Sequence, residues 1–247
     1  MWHIILNCVV IAIVIAIATF GEMFAEMLIS ASEPRKQKHN NNNNNYPAQQ
    51  QRYYLEKGLG DMVGVILFRA QPFHRGHLNM VEKAFSDCTK NDCDLYIFVG
   101  SADKMGTVRN PLPIDFRLML IEGALHENFT VEQLKHIHIF PLEDMTDETD
   151  NSHGWGRYLF VKMFGKTKDP DMTIYYSDDP RIMLGWFAQD ERWLLRFKFL
   201  DRFEGISATL VREALKISNG DEIVRKLVPA FVFNYRAEIR EYMNNAQ

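Results

Sequence analysis

Along most of the chain, apolar residues come in short unbroken runs, separated by stretches in which they recur every three or four positions. Val63-Gly64-Val65-Ile66-Leu67-Phe68 is one such run and Leu95-Tyr96-Ile97-Phe98-Val99 another. Runs of this length without alternation predict strands buried on both faces. His136–Phe140, Met172–Tyr176 and Arg196–Leu200 read as three further strands. The stretches between them predict helices. Gly76–Phe85 puts Leu78, Val81, Ala84 and Phe85 on one face, and Ile114–Leu125 starts behind Pro113. Helices are also predicted over 156–164, 181–188, 208–217 and 230–243, the last with Phe231, Tyr235, Ile239 and Met243 in one stripe. Strands alternating with helices predict an α/β fold, a parallel sheet covered on both sides. Ligands of such sheets bind beyond the strand C-termini, near a topological switch point. No internal repeat is present.

The N-terminus follows a different pattern. Ile4–Phe20 is apolar except for Asn7 and Thr19, close to the length of about 20 residues that spans a bilayer. No Lys or Arg precedes it, whereas Arg35, Lys36 and Lys38 follow, which predicts that the C-terminal side faces the cytoplasm. Three readings stay open: a membrane anchor through residues 4–20, a signal peptide that lacks its basic start, or a start codon placed upstream of the true one, since Met62 precedes the first strand. Asn40–Asn45 and Gln49–Gln51 then mark a polar tract that cannot bury enough apolar surface to fold. The expected organisation is a hydrophobic segment over 1–30, a disordered Asn/Gln-rich linker over 31–57, and one folded domain over 58–247.

Composition narrows the function. The 247 residues, 47% hydrophobic, suffice for one packed domain with an appendage. A net charge of −4 argues against a general nucleic-acid binder. Cys8, Cys88 and Cys93 are too few and too widely spaced for a disulfide framework or a zinc knuckle. No resident metal site is expected. Asp144, Asp147, Glu148 and Asp150 lack the spacing of an oxygen-ligand loop.

The chemistry sits just past the strands. After the first comes Arg69-Ala70-Gln71-Pro72-Phe73-His74-Arg75-Gly76-His77. A helix starting near Gly76 points free N–H groups and its positive dipole end outward, which suits phosphate. Gly76 permits close approach to the backbone. Two imidazoles and Arg69 supply further donors. Near the C-terminus lies Gly205-Ile206-Ser207-Ala208-Thr209-Leu210-Val211-Arg212. Ser207 is a natural N-cap, and Thr209 and Arg212 share a helix face. An arginine near a positive helix end runs against the dipole, and a bound polyphosphate would resolve that misfit.

His-x-Gly-His together with Ile-Ser-x-Thr-x-x-Arg resembles the nucleotidyltransferase superfamily. The fuller string Arg-x-Gln-Pro-Phe-His-x-Gly-His is similar to the archaeal-type nicotinamide mononucleotide adenylyltransferases, as are Val99-Gly100-Ser101-Ala102, Arg109-Asn110-Pro111 and Arg117. The resemblance spans about residues 63 to 235. It implies a Rossmann-like nucleotidyltransferase fold and transfer of AMP from ATP, with Mg²⁺ bound to the substrate, to nicotinamide mononucleotide, giving NAD and pyrophosphate. It implies catalytic roles for His74, His77 and Arg212. Arg69, Gln71, Phe73, Gly76, Gly100, Ser207 and Thr209 would line the ATP. Arg109, Asp144 and Trp155 would hold the acceptor, Trp155 being suited to stack on a cationic ring or simply to pack in the core. A cytoplasmic catalytic domain and a homo-oligomer are expected. The chain departs from the family at Tyr176-Ser177-Asp178-Asp179-Pro180, where the usual pattern is Ser/Thr-Gly/Asn-Asn-Pro. That departure leaves open another acceptor, nicotinate mononucleotide or phosphopantetheine. The N-terminal run leaves open a membrane-tethered nucleotide-binding module without turnover.

Overall fold

In the computed structural model, the described residues are 63–146, 152–168, 171–188 and 195–247. The expected hydrophobic segment and polar linker lie outside them. All described residues fall in one compact unit, Tyr54–Gln247. No helix among them is long and apolar enough to cross a membrane.

Among the described residues, five strands form a single sheet: β1 (Val63–Phe68), β2 (Leu95–Val99), β3 (Ile137–Pro141), β4 (Met172–Tyr176) and β5 (Arg196–Phe199). Their order is β3-β2-β1-β4-β5 and every pairing is parallel. The helices are α1 (Arg75–Lys90), α2 (Ile114–Asn128), α3 (Val131–Leu134), α4 (His153–Thr167), α5 (Pro180–Gly185), α6 (Ala208–Lys216), α7 (Asp221–Leu227), α8 (Ala230–Asn234) and α9 (Arg236–Asn244).

Alternation along each strand feeds two cores. Ile66 and Phe68 of β1, with Leu95, Ile97 and Val99 of β2, pack under α1, α2 and the C-terminal helices. Val63 and Val65, with Phe98, Met172 and Ile174, pack on the other face against Leu159 and Met163 of α4 and Met183 of α5. Strands so buried leave no polar face, which is why their sequences run unbroken. Gly64 lets α1 settle on β1, because a Cβ there would lie 2.4 Å from Cys88 Sγ. The chain builds β1, β2 and β3 in one direction, then crosses to β4 on the far side of β1. The switch point therefore lies between β1 and β4, beyond their C-terminal ends.

All five expected strands form, within one residue of their expected bounds. The expected helix over 230–243 is two helices instead, broken at Tyr235 with φ −96° and ψ 16°. The break aims Arg236 and Arg240 at Asp221 on α7, and Arg240 Nε also donates to the Leu215 carbonyl at 2.8 Å. Helices α3 and α7 were not anticipated, being too short to show a period.

Candidate active site

His74 is the N-cap of α1. Its Nδ1 accepts the backbone N–H of His77 at 3.3 Å, and His77 Nδ1 accepts the backbone N–H of His74 at 3.3 Å. Two imidazoles thus form a reciprocal capping box, the arrangement usually made by Ser or Thr with Glu or Gln. Their rings stack with centroids 3.7 Å apart. With Nδ1 fixed as acceptor, a neutral ring carries its hydrogen on Nε2 and presents that N–H away from the helix. Both rings are neutral at pH 7. Burial first, then the Arg202 charge, push His74 down to about 4. Burial first, then His74, lower His77 as well.

Behind the pair stands an aromatic wall. Phe73 is fully buried, its ring 5.5 Å from that of His77, and Phe68 lies 4.6 Å from the same imidazole. Phe73, expected at the ATP, therefore lies beneath His77 and holds it in place. Gly76 keeps the turn tight. A Cβ there would sit 3.0 Å from Cε1 and Nδ1 of His74 and 3.4 Å from the Ile206 carbonyl oxygen.

That carbonyl belongs to the second motif, so the two distant segments meet at Gly76. Glu204 and Gly205 take left-handed φ values of 50° and 67°. Ser207 caps α6 by accepting the Leu210 N–H at 3.2 Å. Arg212 then reaches across, donating from Nη1 to the Gln71 carbonyl at 2.7 Å and from Nη2 to Thr209 Oγ1 at 3.4 Å. Burial lowers its pKa. Gln71 is buried and bridges to the next loop: its Nε2 donates to the Leu112 carbonyl at 3.1 Å and its Oε1 accepts the Leu112 N–H at 2.9 Å. Gln71, expected at the ATP, thus faces Leu112.

Beneath the turns lies Arg117, the largest fully buried side chain among the described residues. Its Nη1 donates to the carbonyls of Arg69 at 2.9 Å and Gly100 at 2.8 Å, and its Nη2 to that of Ser101 at 2.9 Å. Ala70 and Ser101, each next to one of these carbonyls, both adopt left-handed backbone at φ 53° and 50°. One guanidinium therefore pins the ends of β1 and β2. Burial pulls its pKa down to about 10, so it keeps its charge at neutral pH.

Ser101 Oγ donates to Asp144 Oδ1 at 3.2 Å, tying the end of β3 to that of β2. Asp144 Oδ2 is buried with no hydrogen-bond partner. Burial raises the pKa of this carboxyl, and the Ser101 bond opposes the rise. Arg69 is half-buried next to Gly100. Arg109 is exposed on the β2–α2 loop. Trp155 is buried in the second core, stacked on Tyr158 at 5.5 Å and edge-on to Trp186 at 6.1 Å.

The two acidic departures have visible partners. Asp179 caps α5 and forks to Arg181, while Asp178 pairs with Arg202 at 2.8 Å. Among the described residues, no group of three or more His, Cys, Asp and Glu side chains is arranged to hold a metal ion.

The structure thus brings His74, His77, Gly76, Ser207, Thr209 and Arg212 to one turn at the switch point, with Arg69 and Gly100 at the neighbouring strand ends. Sequence reasoning gave Arg117 no role, although a signal existed: it falls on the same helix face as Leu120, Ile121 and Ala124, where a charge is out of place. It also gave none to Arg202, which no local pattern marks.

A family model described as cytidylyltransferase-like matches residues 69–214. The chain is 27% identical over 171 residues to the nicotinamide-nucleotide adenylyltransferase of Methanolobus tindarius, covering 69% of this chain and 85% of that protein. It is 29% identical over 172 residues to the protein of the same name from Sulfurisphaera tokodaii, covering 70% and 88%. Among solved structures it shares its fold with a bifunctional NMN adenylyltransferase/ADP ribose pyrophosphatase from Francisella tularensis, at a TM-score of 0.56 and 18% identity. That alignment covers 74% of this chain and 52% of the other, so the chain spans about half the bifunctional protein.

Proposed function

The chain belongs to the cytidylyltransferase-like family, and from that premise we propose that it transfers the adenylyl group of ATP to nicotinamide mononucleotide, forming NAD and releasing pyrophosphate. The observation that carries the reading is the meeting of both motifs at Gly76, where the Ile206 carbonyl reaches the helix start capped by the two neutral imidazoles and Arg212 crosses to the Gln71 carbonyl. The archaeal relatives bearing the corresponding name supply the acceptor.

In this reading the acceptor's 5′-phosphate oxygen attacks the α-phosphorus of ATP in line, and the bond to the β-phosphate oxygen breaks. No proton has to move, because both nucleophile and leaving group are phosphate anions. Neutral imidazoles that donate without titrating match that requirement. His77 and His74 donate Nε2–H to phosphate oxygens, and the N-terminus of α1 adds its dipole. Arg212 and Arg69 neutralise charge gathering on the departing pyrophosphate. Thr209 orients Arg212, and Ser207 and Gly100 frame the turns. Arg117 does not touch substrate; it sets the backbone on which nucleotide rests. Mg²⁺ arrives with ATP as part of the substrate. Arg109 would hold the acceptor phosphate, Asp144 and Trp155 the nicotinamide side.

Purified protein with ATP, Mg²⁺ and nicotinamide mononucleotide is expected to yield equimolar NAD and pyrophosphate. Product from nicotinate mononucleotide or phosphopantetheine and none from nicotinamide mononucleotide would overturn the acceptor. Nucleotide binding with no product from any of them would favour a binding module.

A further inference from the structure

We infer that Tyr158 is a positioning residue for the acceptor nucleotide: its hydroxyl and the Asp103 carboxylate clamp the two ends of the peptide leading into Asp144, and its ring backs Trp155. The inference rests on the adenylyltransferase reading and deepens it, because Asp144 and Trp155 are the two residues that reading gives to the nicotinamide side.

The peptide between Glu143 and Asp144 is one rigid plane. Tyr158, in the second turn of α4, donates its hydroxyl to the carbonyl of that plane at 3.1 Å. The N–H at the other end donates to Asp103 Oδ1 at 3.0 Å, on the loop after β2. Lys104 Nζ holds the second Asp103 oxygen at 2.7 Å. Nearby, the pairing of β2 with β3 runs on past the strand ends. The Leu142 N–H donates to the Val99 carbonyl at 2.9 Å, and the Ala102 N–H to the Leu142 carbonyl at 3.0 Å. The plane is thus gripped at both ends by side chains from two separate elements.

Fixing the plane fixes Asp144. Ser101 holds its Oδ1, and its Oδ2 is left buried with no hydrogen-bond partner. A buried acceptor without a donor is costly, and a ligand that brings a donor removes that cost. Tyr158 also lies three residues after Trp155, on the same face of α4. The two rings stack with centroids 5.5 Å apart and planes at 30°. One side chain therefore sets both residues at the nicotinamide end, Asp144 through its hydroxyl and Trp155 through its ring.

The size of the effect follows from the bond. A neutral hydroxyl on a carbonyl contributes modestly, so its loss shifts acceptor affinity a few-fold without abolishing it. The ATP side is built at the starts of α1 and α6, so the change falls on the acceptor. A tyrosine that merely packed against the second core would instead change stability and leave the two substrates affected alike.

The test is steady-state kinetics of the full chain, each substrate varied at saturation of the other with Mg²⁺ present. Tyr158→Phe keeps the ring and removes the donor. It is expected to raise KM for nicotinamide mononucleotide about two- to fivefold, with KM for ATP and kcat unchanged. Tyr158→Leu removes the ring as well and is expected to raise it about tenfold. Asp103→Ala frees the other end of the plane and is expected to match Tyr158→Phe. Asp103→Asn, which keeps an oxygen in place, is expected to recover most of that loss. Because both side chains hold one plane, Asp103→Ala added to Tyr158→Phe is expected to cost less than the product of the single effects. Fully multiplicative effects overturn the shared clamp. Equal rises in KM for both substrates, or a lower melting temperature with unchanged kinetics, assign Tyr158 to packing and overturn the inference. NAD formation with an unchanged KM in Tyr158→Phe overturns it alone. Wild type that forms no NAD from nicotinamide mononucleotide overturns the adenylyltransferase reading and this inference together.

Discussion

Two imidazole rings closing one helix end are sensitive to protons in a way that Ser and Glu are not. Protonating Nδ1 of His74 or His77 turns an acceptor into a donor facing a backbone N–H, and the cap opens. Burial, helped by the Arg202 charge, holds the folded His74 at about 4, below the ordinary histidine value of 6.5. The folded state then binds fewer protons than the unfolded one through this window, so stability is full above about pH 6.5 and is lost as pH falls toward 4. The shift corresponds to about 3 kcal/mol from His74 alone. Melting temperature followed from pH 7 to 4 is expected to drop more steeply in wild type than in His74→Asn, where the amide oxygen caps without titrating. Arg117 makes a second prediction at this scale. Arg117→Met leaves the carbonyls of Arg69, Gly100 and Ser101 without their donor. A loss of about 1–3 kcal/mol in denaturant unfolding is expected, together with a higher KM for ATP, since the left-handed turns at Ala70 and Ser101 lose their clamp.

At the scale of elements, the helix starts matter most. Ser207→Ala removes the α6 cap and is expected to cost about 1 kcal/mol in urea denaturation. Gly76→Ala separates stability from activity. Within the first turn of α1, alanine favours helix by about 1 kcal/mol. Its Cβ, however, meets the His74 ring at 3.0 Å and crowds Ile206 at 3.4 Å. Stability is expected to change little while kcat falls by about a hundredfold, because small misplacements of reacting groups are costly. A proportionate loss of both in unfolding and kinetic assays would show that Gly76 serves the fold rather than the site. The elements also show where local reading stops. Helices α1 and α2 were legible from their apolar stripes and from Pro113, and the capped start of α6 from Ser207. The division into α8 and α9 was not, because the stripe of Phe231, Tyr235, Ile239 and Met243 reads as continuous whereas Arg236 and Arg240 are drawn to Asp221 from another helix.

For the whole molecule, ATP binding is expected to raise thermal stability by linkage, about 2.7 kcal/mol at a hundredfold excess over Kd. Residues 58–247 are proposed as the catalytic domain, so removing residues 1–57 is expected to leave kcat/KM within about twofold, as for a domain with its own core; a larger loss in steady-state assays would place part of the site upstream. The strands, their parallel sheet and the two motifs were written in the chain itself, because burial on both faces demands unbroken apolar runs and a helix start calls for a capping side chain within a few residues. Such constraints act between near neighbours and leave a readable pattern. What only tertiary structure decided are contacts between distant positions: Arg212 on the carbonyl of Gln71, 141 residues away, Arg117 under Arg69, 48 residues away, and Asp178 against Arg202. Each joins loops that meet only after the sheet has ordered its strands, and no periodicity along the sequence records which of them will touch.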